Sequence, residues 1–129
     1  LRGNEEYYLR NKLMKQGPGK GGFTEDEILE YLRVCTPENI HAVCEDYRAA
    51  VTVDMAMDTA DFEAGRKIQC PVAVYWGELS HTEKHFSPRD AWPQYAANIV
   101  TIKPLPCGHY PAEQVPELVI SELEGFLKG

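Results

Sequence analysis

The chain has 129 residues, a net charge of −7, 43% hydrophobic residues and 26% charged residues. This length allows one ordinary domain with a hydrophobic core, and the composition is typical of a soluble globular protein. The acidic balance argues against nucleic acid or an anionic membrane as the main partner. No apolar run approaches the roughly 20 residues that cross a bilayer.

The four cysteines, at positions 35, 44, 70 and 107, contain no CxxC pair. We therefore expect no zinc site, no other metal and no cofactor. Cys44 lies in a helical pattern and Cys70 opens a predicted strand, and buried free thiols are common in such places. Reduced thiols and a cytoplasmic location are the favoured interpretation. The first six residues show no signal-peptide pattern, and the lack of an initiating Met suggests that Leu1 is not the true start.

The first half of the chain has helical spacing and supplies no predicted strand. A helix is predicted over residues 5–15, and the glycine-rich segment Gly17–Gly22 then acts as a connector rather than a phosphate loop, because it does not fit GxxxxGK[ST]. Thr24 and Glu27 form a capping box that begins a second helix, which ends at about Cys35.

A third helix is predicted to begin at Thr36-Pro37, with Thr as the N-cap and Pro in the first turn. Its apolar stripe continues to Val51. Residues 54–58 then loosen the helical pattern, and a short amphipathic helix is predicted over residues 59–66.

In the second half, strand and helix patterns alternate. Residues 72–76 form a continuous apolar run that is typical of a strand buried on both faces, and a polar loop follows it. A helix over 88–98, a β-branched strand from 99 to 102 and a final helix over 116–128 complete the order strand, helix, strand, helix. This order predicts a parallel sheet. Two parallel strands do not form a stable sheet alone, so either the chain oligomerises or a preceding segment with more strands is absent; we favour the second.

One histidine occupies a position suited to chemistry. His109 follows the second strand and precedes the last helix, beside Gly108 and between Pro106 and Pro111. This pattern places an imidazole on a loop at the carboxyl end of a strand, where open α/β sheets carry their ligands and reactive groups. No residue upstream is an obvious nucleophile for it.

Several segments together resemble a known family. They are Tyr8-Leu9-Arg10, Glu30-Tyr31-Leu32-Arg33, the run from Ile40 to Ala50 that contains CEDYRA, Asp61, Ala64 to Ile68, Cys70-Pro71-Val72, Trp76-Gly77, Pro106 to Tyr110 and Glu113. In this order they resemble the cap and C-terminal part of the fluoroacetate (haloacetate) dehalogenases, within the α/β-hydrolase superfamily.

The resemblance implies an α/β fold, namely the C-terminal portion of an α/β-hydrolase fold preceded by part of a helical cap. Residues 1–66 would be the C-terminal part of the cap. Residues 67–129 would be the last two strands of the core, their helices and the loop of the catalytic histidine. The chain order of nucleophile, acid and then histidine agrees with this placement.

The same resemblance implies a two-step reaction on a small halocarboxylic acid. An aspartate, expected upstream of Leu1, would displace halide and form an ester, and His109 would activate water to hydrolyse that ester. Tyr47 would donate a hydrogen bond to the departing halide, since a phenol is a neutral donor on a rigid ring. His81 would face the substrate pocket, where the family tends to have a smaller or apolar residue.

The remaining functional groups are expected in an N-terminal half of the same fold, which would be the main protein partner. Many α/β-hydrolases place the triad acid three residues past the glycine equivalent to Gly77. Ser80 stands there in this chain, which agrees with an upstream acid, and Glu78 is an outside candidate. The cap helices and last sheet elements offer apolar surface that would suit a homodimer.

Two other functions compete with the dehalogenase reading. An epoxide hydrolase would use the same kind of nucleophile and histidine together with cap tyrosines. The number of tyrosines that reach the pocket therefore distinguishes an epoxide hydrolase from a dehalogenase. A non-catalytic fragment or interaction module is the other alternative, because a base without a nucleophile performs no acyl or alkyl chemistry.

Overall fold

The computed structural model describes residues 3–16 and 23–128, which divide into two compact units. One unit contains the helices before Gly65, and the other contains the strands and helices after it. The predicted connector Gly17–Gly22 lies outside the described residues. None of the described helices is long and apolar enough to cross a membrane.

The first unit consists of helices. They are α1 (Glu5–Gln16), α2 (Glu25–Val34), α3 (Pro37–Ala50) and α4 (Val53–Glu63). Leu13 of α1 and Ile28 of α2 are its buried apolar side chains among the described residues. Much of the apolar surface of α3 and α4 is exposed, including Val43, Met55 and Met57.

The predicted starts of α2 and α3 are confirmed. The Thr24 amide donates to Glu27 Oε2 over 2.6 Å, and the Glu27 amide donates back to Thr24 Oγ1 over 3.3 Å. At α3, Thr36 Oγ1 accepts from the Asn39 amide over 3.3 Å, and Pro37 occupies the first turn. Both caps satisfy amides that have no partner within the helix.

The prediction for residues 54–58 is wrong, because they lie within α4. Asp54 is in the first turn of this helix, where a carboxylate interacts favourably with the positive end of the helix dipole. The helix also ends earlier than predicted. Gly65 adopts a φ of +67°, a conformation that favours glycine, so the helix stops before Arg66.

The second unit is built on a two-stranded parallel sheet. Its elements in chain order are β1 (Val72–Gly77), α5 (His81–His85), α6 (Pro88–Tyr95), β2 (Ile99–Leu105), α7 (Pro111–Gln114) and α8 (Pro116–Lys128). Val74 pairs with Ile102, and Gly77 pairs with Leu105. The predicted alternation of strands and helices and the parallel pairing are therefore confirmed.

Three details of this unit differ from the sequence predictions. β1 is not buried throughout, since Val74 and Trp76 are buried while Tyr75 is half-buried. Part of the predicted polar loop after β1 is the short helix α5. The sixth helix ends at Tyr95 rather than 98, because Ala96 turns extended and bridges to Ile68.

A small apolar core lies along the sheet. Its buried apolar residues are Val74, Trp76, Ala96, Leu105 and Cys107. Cys70, expected to be buried, is exposed because it precedes the first residue of β1. On α8, Ile120, Leu123 and Leu127 are exposed in this chain.

Candidate active site at the carboxyl end of the sheet

Both strands of the second unit end at the same level. Gly77 is the last residue of β1 and pairs with Leu105, the last residue of β2. Because the strands are parallel, the chain leaves both at one edge of the sheet, in a turn after Gly77 and in the loop that carries His109. This edge is where open α/β folds bind their ligands.

Backbone hydrogen bonds join the two exits. The Glu78 amide donates to the Leu105 carbonyl over 2.9 Å, and the Leu79 amide donates to the Cys107 carbonyl over 3.0 Å. The Cys107 amide donates to the Leu105 carbonyl over 2.8 Å, which tightens the turn. The pairing of β1 and β2 therefore continues past the strands and fixes the start of the histidine loop.

A glycine is required where the two loops meet. A Cβ atom on Gly77 would lie 1.7 Å from the Gly108 carbonyl oxygen and 2.6 Å from the Cys107 carbonyl oxygen. Neither contact is sterically allowed, and both partners are backbone atoms that cannot move independently of the loop. The absence of a side chain at Gly77 lets the histidine loop lie directly against the end of β1.

Gln114 holds the loop from its other side. Its Oε1 atom accepts a hydrogen bond from the Gly108 amide over 2.7 Å. Gln114 is the last residue of α7, and the Gln114 backbone amide donates to the Tyr110 carbonyl over 2.9 Å. The residue before His109 is thus fixed by a side chain that the sequence prediction did not single out. A glutamine five residues after His109 was the available signal.

His109 itself is exposed at this edge. Its ring packs edge-to-face against the Tyr110 ring, with 5.1 Å between centroids. Within the described part of the chain, neither imidazole nitrogen makes a hydrogen bond. The backbone around His109 is therefore fixed while its nitrogens remain available for proton transfer.

Ser80 does not serve as an acid. Its side chain is buried, and its Oγ donates to the Gly77 carbonyl over 2.7 Å and accepts from the Thr82 amide over 3.2 Å. These contacts make it the N-cap of α5. Glu78 is exposed and lies in the same turn. Burial, and secondarily the Glu78 charge, raises the pKa of the Cys107 thiol, so this thiol stays neutral and acts as a packing residue.

His81 lies on α5, which follows Ser80 directly. Its ring is exposed and stacks on that of His85, with 5.6 Å between centroids and 15° between planes. The helix is anchored to the strand through Glu83, which accepts a hydrogen bond from Trp76 Nε1. Glu78 and His81 thus follow the end of β1, and His109 follows the end of β2, within one unit.

Tyr47 belongs to the first unit, on α3. Its side chain is 60% exposed, and the Lys12 ammonium of α1 lies 5.8 Å from the centroid of its ring. The same ammonium lies 5.9 Å from the centroid of Tyr8. One cation therefore contacts two phenol rings at distances that allow cation–π attraction.

The described residues contain no group of three or more His, Cys, Asp or Glu side chains that could hold a metal ion.

Comparisons with known proteins give the family context. No protein-family model matches the chain. A fluoroacetate dehalogenase from Burkholderia sp is 33% identical over 110 residues, which are 84% of this chain and 35% of the relative.

Among solved structures, a candidate α/β hydrolase from Nostoc sp PCC 7120 has a TM-score of 0.86 and 38% identity, over 97% of this chain and 42% of its own. A candidate acyltransferase from Salmonella enterica also has a TM-score of 0.86 and 38% identity, over 95% of this chain and 40% of its own. A candidate epoxide hydrolase from Pseudomonas aeruginosa has a TM-score of 0.82 and 34% identity, over 95% of this chain and 41% of its own.

The chain has the C-terminal portion of an α/β-hydrolase fold. The expected superfamily and fold class are thereby confirmed. The chain spans about a third of the length of the Burkholderia relative and about two fifths of the solved structures. In this α/β-hydrolase portion, His109 stands on the loop after the last strand, the place at which the order nucleophile, acid, histidine puts the base.

Proposed function

We propose that this α/β-hydrolase portion belongs to a hydrolase that acts on haloacetates, with fluoroacetate as the first substrate to test. The position of His109 carries the proposal, because its loop is fixed at the carboxyl end of the sheet while its nitrogens make no hydrogen bond to any described residue. The similarity to the Burkholderia fluoroacetate dehalogenase supports the choice of substrate class.

In the proposed reaction, an aspartate from an N-terminal half of the fold attacks the halogen-bearing carbon. The new carbon–oxygen bond forms an ester, and the carbon–halogen bond breaks to release halide. His109 then removes a proton from water, and the resulting hydroxide attacks the ester carbonyl. The acyl carbon–oxygen bond of the ester breaks, and the leaving alkoxide takes the proton held by His109 to give the hydroxy acid. The aspartate is left as a carboxylic acid, which returns to the carboxylate by losing its proton to solvent. An imidazole is suited to this second step, since it can accept a proton near neutral pH.

Tyr47 is proposed as a hydrogen-bond donor to the departing halide, on a cap formed by residues 1–66. The Lys12 ammonium over its ring supports this role in two ways. Cation–π contact restrains the ring, and a positive charge near the phenol favours the approach of an anionic substrate. His81, on α5 of the other unit, is proposed to face the substrate in the completed protein and to limit the size of that substrate. The other partners we propose are the N-terminal half and a second copy of the protein.

The experiment joins this chain to an N-terminal half of the fold, in one polypeptide or as two co-expressed fragments, and measures fluoride release from fluoroacetate with an ion-selective electrode. We expect release with the wild-type sequence and a loss of at least 100-fold with His109→Ala, the usual scale for a general base. His41→Ala is the matched control, since His41 is an exposed histidine beside Glu45 on α3. A complete, folded protein that releases no halide would overturn the substrate assignment.

An epoxide hydrolase is the second candidate. It is favoured by the 34% identity to the Pseudomonas candidate epoxide hydrolase and by two phenols, Tyr8 and Tyr47, that flank one cation. A pair of phenols could donate to the oxygen of an opening epoxide, whereas one donor suffices for a halide.

Two variants separate these candidates. If the substrate is an epoxide, Tyr8→Phe and Tyr47→Phe should each lower the rate of ring opening, because each removes a donor and keeps the ring. For a haloacetate, only Tyr47→Phe should lower halide release. If His109→Ala changes neither activity of the completed protein, the chain is a non-catalytic module.

A further inference from the structure

We propose that His81 and His85 form a surface site for a borderline divalent metal ion, Zn²⁺, Ni²⁺ or Cu²⁺. The inference does not depend on the proposed function. It rests on the juxtaposition of two exposed imidazoles that lie one helical turn apart on α5.

Helical spacing brings the two side chains to one face. Residues four apart in a helix are surface neighbours, separated along the axis by about one turn. The rings of His81 and His85 accordingly lie nearly parallel, 15° apart, with 5.6 Å between their centroids. A metal ion binds imidazole nitrogen at about 2.0–2.1 Å, so two rings at this separation meet around one ion after small side-chain rotations. Both side chains are exposed, so no packing opposes those rotations.

The surroundings of the pair define what kind of site this is. Glu83 lies between the histidines in sequence, but its carboxylate accepts the Trp76 Nε1 hydrogen bond and is engaged there. Among the described residues no third ligand joins the pair. Solvent therefore completes the coordination, which makes this a weak, exchangeable site that selects nitrogen-preferring metals over Mg²⁺ and Ca²⁺.

The N-terminal end of α5 is fixed to the end of β1, and this fixes the position of the two histidines. Ser80 caps α5 through the Thr82 amide, and its own hydroxyl is tied to the Gly77 carbonyl. The same turn is joined to the histidine loop by the bond from the Leu79 amide to the Cys107 carbonyl. A metal ion on α5 would therefore sit on an element fixed to the end of the sheet and not on an independent loop.

The experiment is calorimetric titration of Zn²⁺ and, separately, Ni²⁺ into the tag-free completed protein, in which this chain is joined to an N-terminal half of the fold. Cys70→Ser is the parent for every variant, because Cys70 is an exposed free cysteine and thiolates are zinc ligands in general. We expect one ion per chain and at least a tenfold weakening by His81→Ala or by His85→Ala. His41→Ala removes an exposed histidine from α3 and should leave affinity unchanged. Mg²⁺ should give no heat of binding.

A register variant separates geometry from histidine content. In the double substitution His85→Ala with Phe86→His, the second imidazole moves one residue along the chain and off the face of His81, at a side chain that is 70% exposed. We expect this variant to bind as weakly as His85→Ala alone. Equal affinity in the parent and in both single variants, or full affinity in the register variant, would overturn the proposal. Circular dichroism of each variant confirms that α5 substitutions leave the fold intact.

Discussion

A Cβ atom on Gly77 would lie 1.7 Å from the carbonyl oxygen of Gly108. The last residue of β1 therefore lies directly against the residue that precedes His109. The path of the histidine loop after β2 depends on the absence of a side chain at Gly77. The loop and the strand end behave as one piece of structure, supported by the hydrogen bonds from Glu78 and Leu79.

The first prediction concerns this contact. Gly77→Ala should lower the free energy of unfolding by about 3 kcal/mol, because the methyl group meets backbone atoms that must shift together. Urea denaturation followed by circular dichroism measures the change. Gly125→Ala is the matched control, since a Cβ there meets nothing within 4 Å on an exposed face of α8. That substitution should raise stability by about 0.5–1 kcal/mol. Equal effects at the two positions would contradict the close approach.

The second prediction concerns the restraint on Gly108. Gln114→Ala removes the acceptor of the Gly108 amide and should lower the local stability by about 1 kcal/mol. The Gly108 amide should therefore exchange about five times faster. Hydrogen exchange followed by NMR measures this rate. Gln114→Glu keeps an acceptor oxygen and should preserve protection.

The control for Gln114 is Gln94→Ala on α6. Gln94 donates to the Asp90 carbonyl of its own helix, at a site outside the histidine loop. This substitution should leave the exchange rate of Gly108 unchanged. If Gln114→Ala also leaves it unchanged, the amide has another partner and the bond we describe does not restrain the loop.

Much of the fold follows from local sequence signals. The capping box of Thr24 and Glu27, the Thr36-Pro37 start and the apolar runs of both strands each act over a few residues, so they are readable without tertiary context. The error at 54–58 has the same local origin, whereas the error after Tyr95 comes from a contact between residues far apart in the chain. An acidic residue in a first helical turn looks like a break, and an extended Ala96 is held by a bridge to distant Ile68.

Less of the candidate site could be predicted from the sequence, because its geometry depends on contacts between residues far apart in the chain. The glycine-histidine turn identified His109. The role of Gly77 could not be predicted, because it depends on the register of β1 against β2. The role of Gln114 could not be predicted either, because it depends on how α7 folds against the loop. The function of Tyr47 stays a prediction. The sequence places it on a helical stripe, and the structure adds the Lys12 contact within its own unit.

The third prediction concerns the ion pair between Lys103 and Glu122, which joins β2 to α8 over 2.8 Å. The hydrogen bond from Lys103, helped by one from Tyr75, lowers the pKa of Glu122 below its ordinary value of 4.5. A carboxyl group with a lowered pKa in the folded state stabilises the protein above its ordinary pKa, and this contribution is lost as the pH falls through the lowered value.

Glu122→Gln should therefore destabilise the chain at pH 7, and the difference from wild type should shrink as the pH falls below about 4. Thermal unfolding at a series of pH values measures this. Glu124→Gln removes an exposed pair with Lys128 on the same helix and should have the smaller effect at every pH. A Glu122 effect that stays constant between pH 7 and pH 3 would show that packing, not charge, is responsible.

We propose that His109 activates water in the second half of a two-step hydrolysis. The most direct test is mass spectrometry of the intact completed protein carrying His109→Asn, after incubation with fluoroacetate. We expect one fluoride to be released per protein and the protein to retain a covalent ester on an aspartate, since the first step proceeds and the second does not. Sustained fluoride release by this variant, or release without any covalent adduct, would contradict the role assigned to His109.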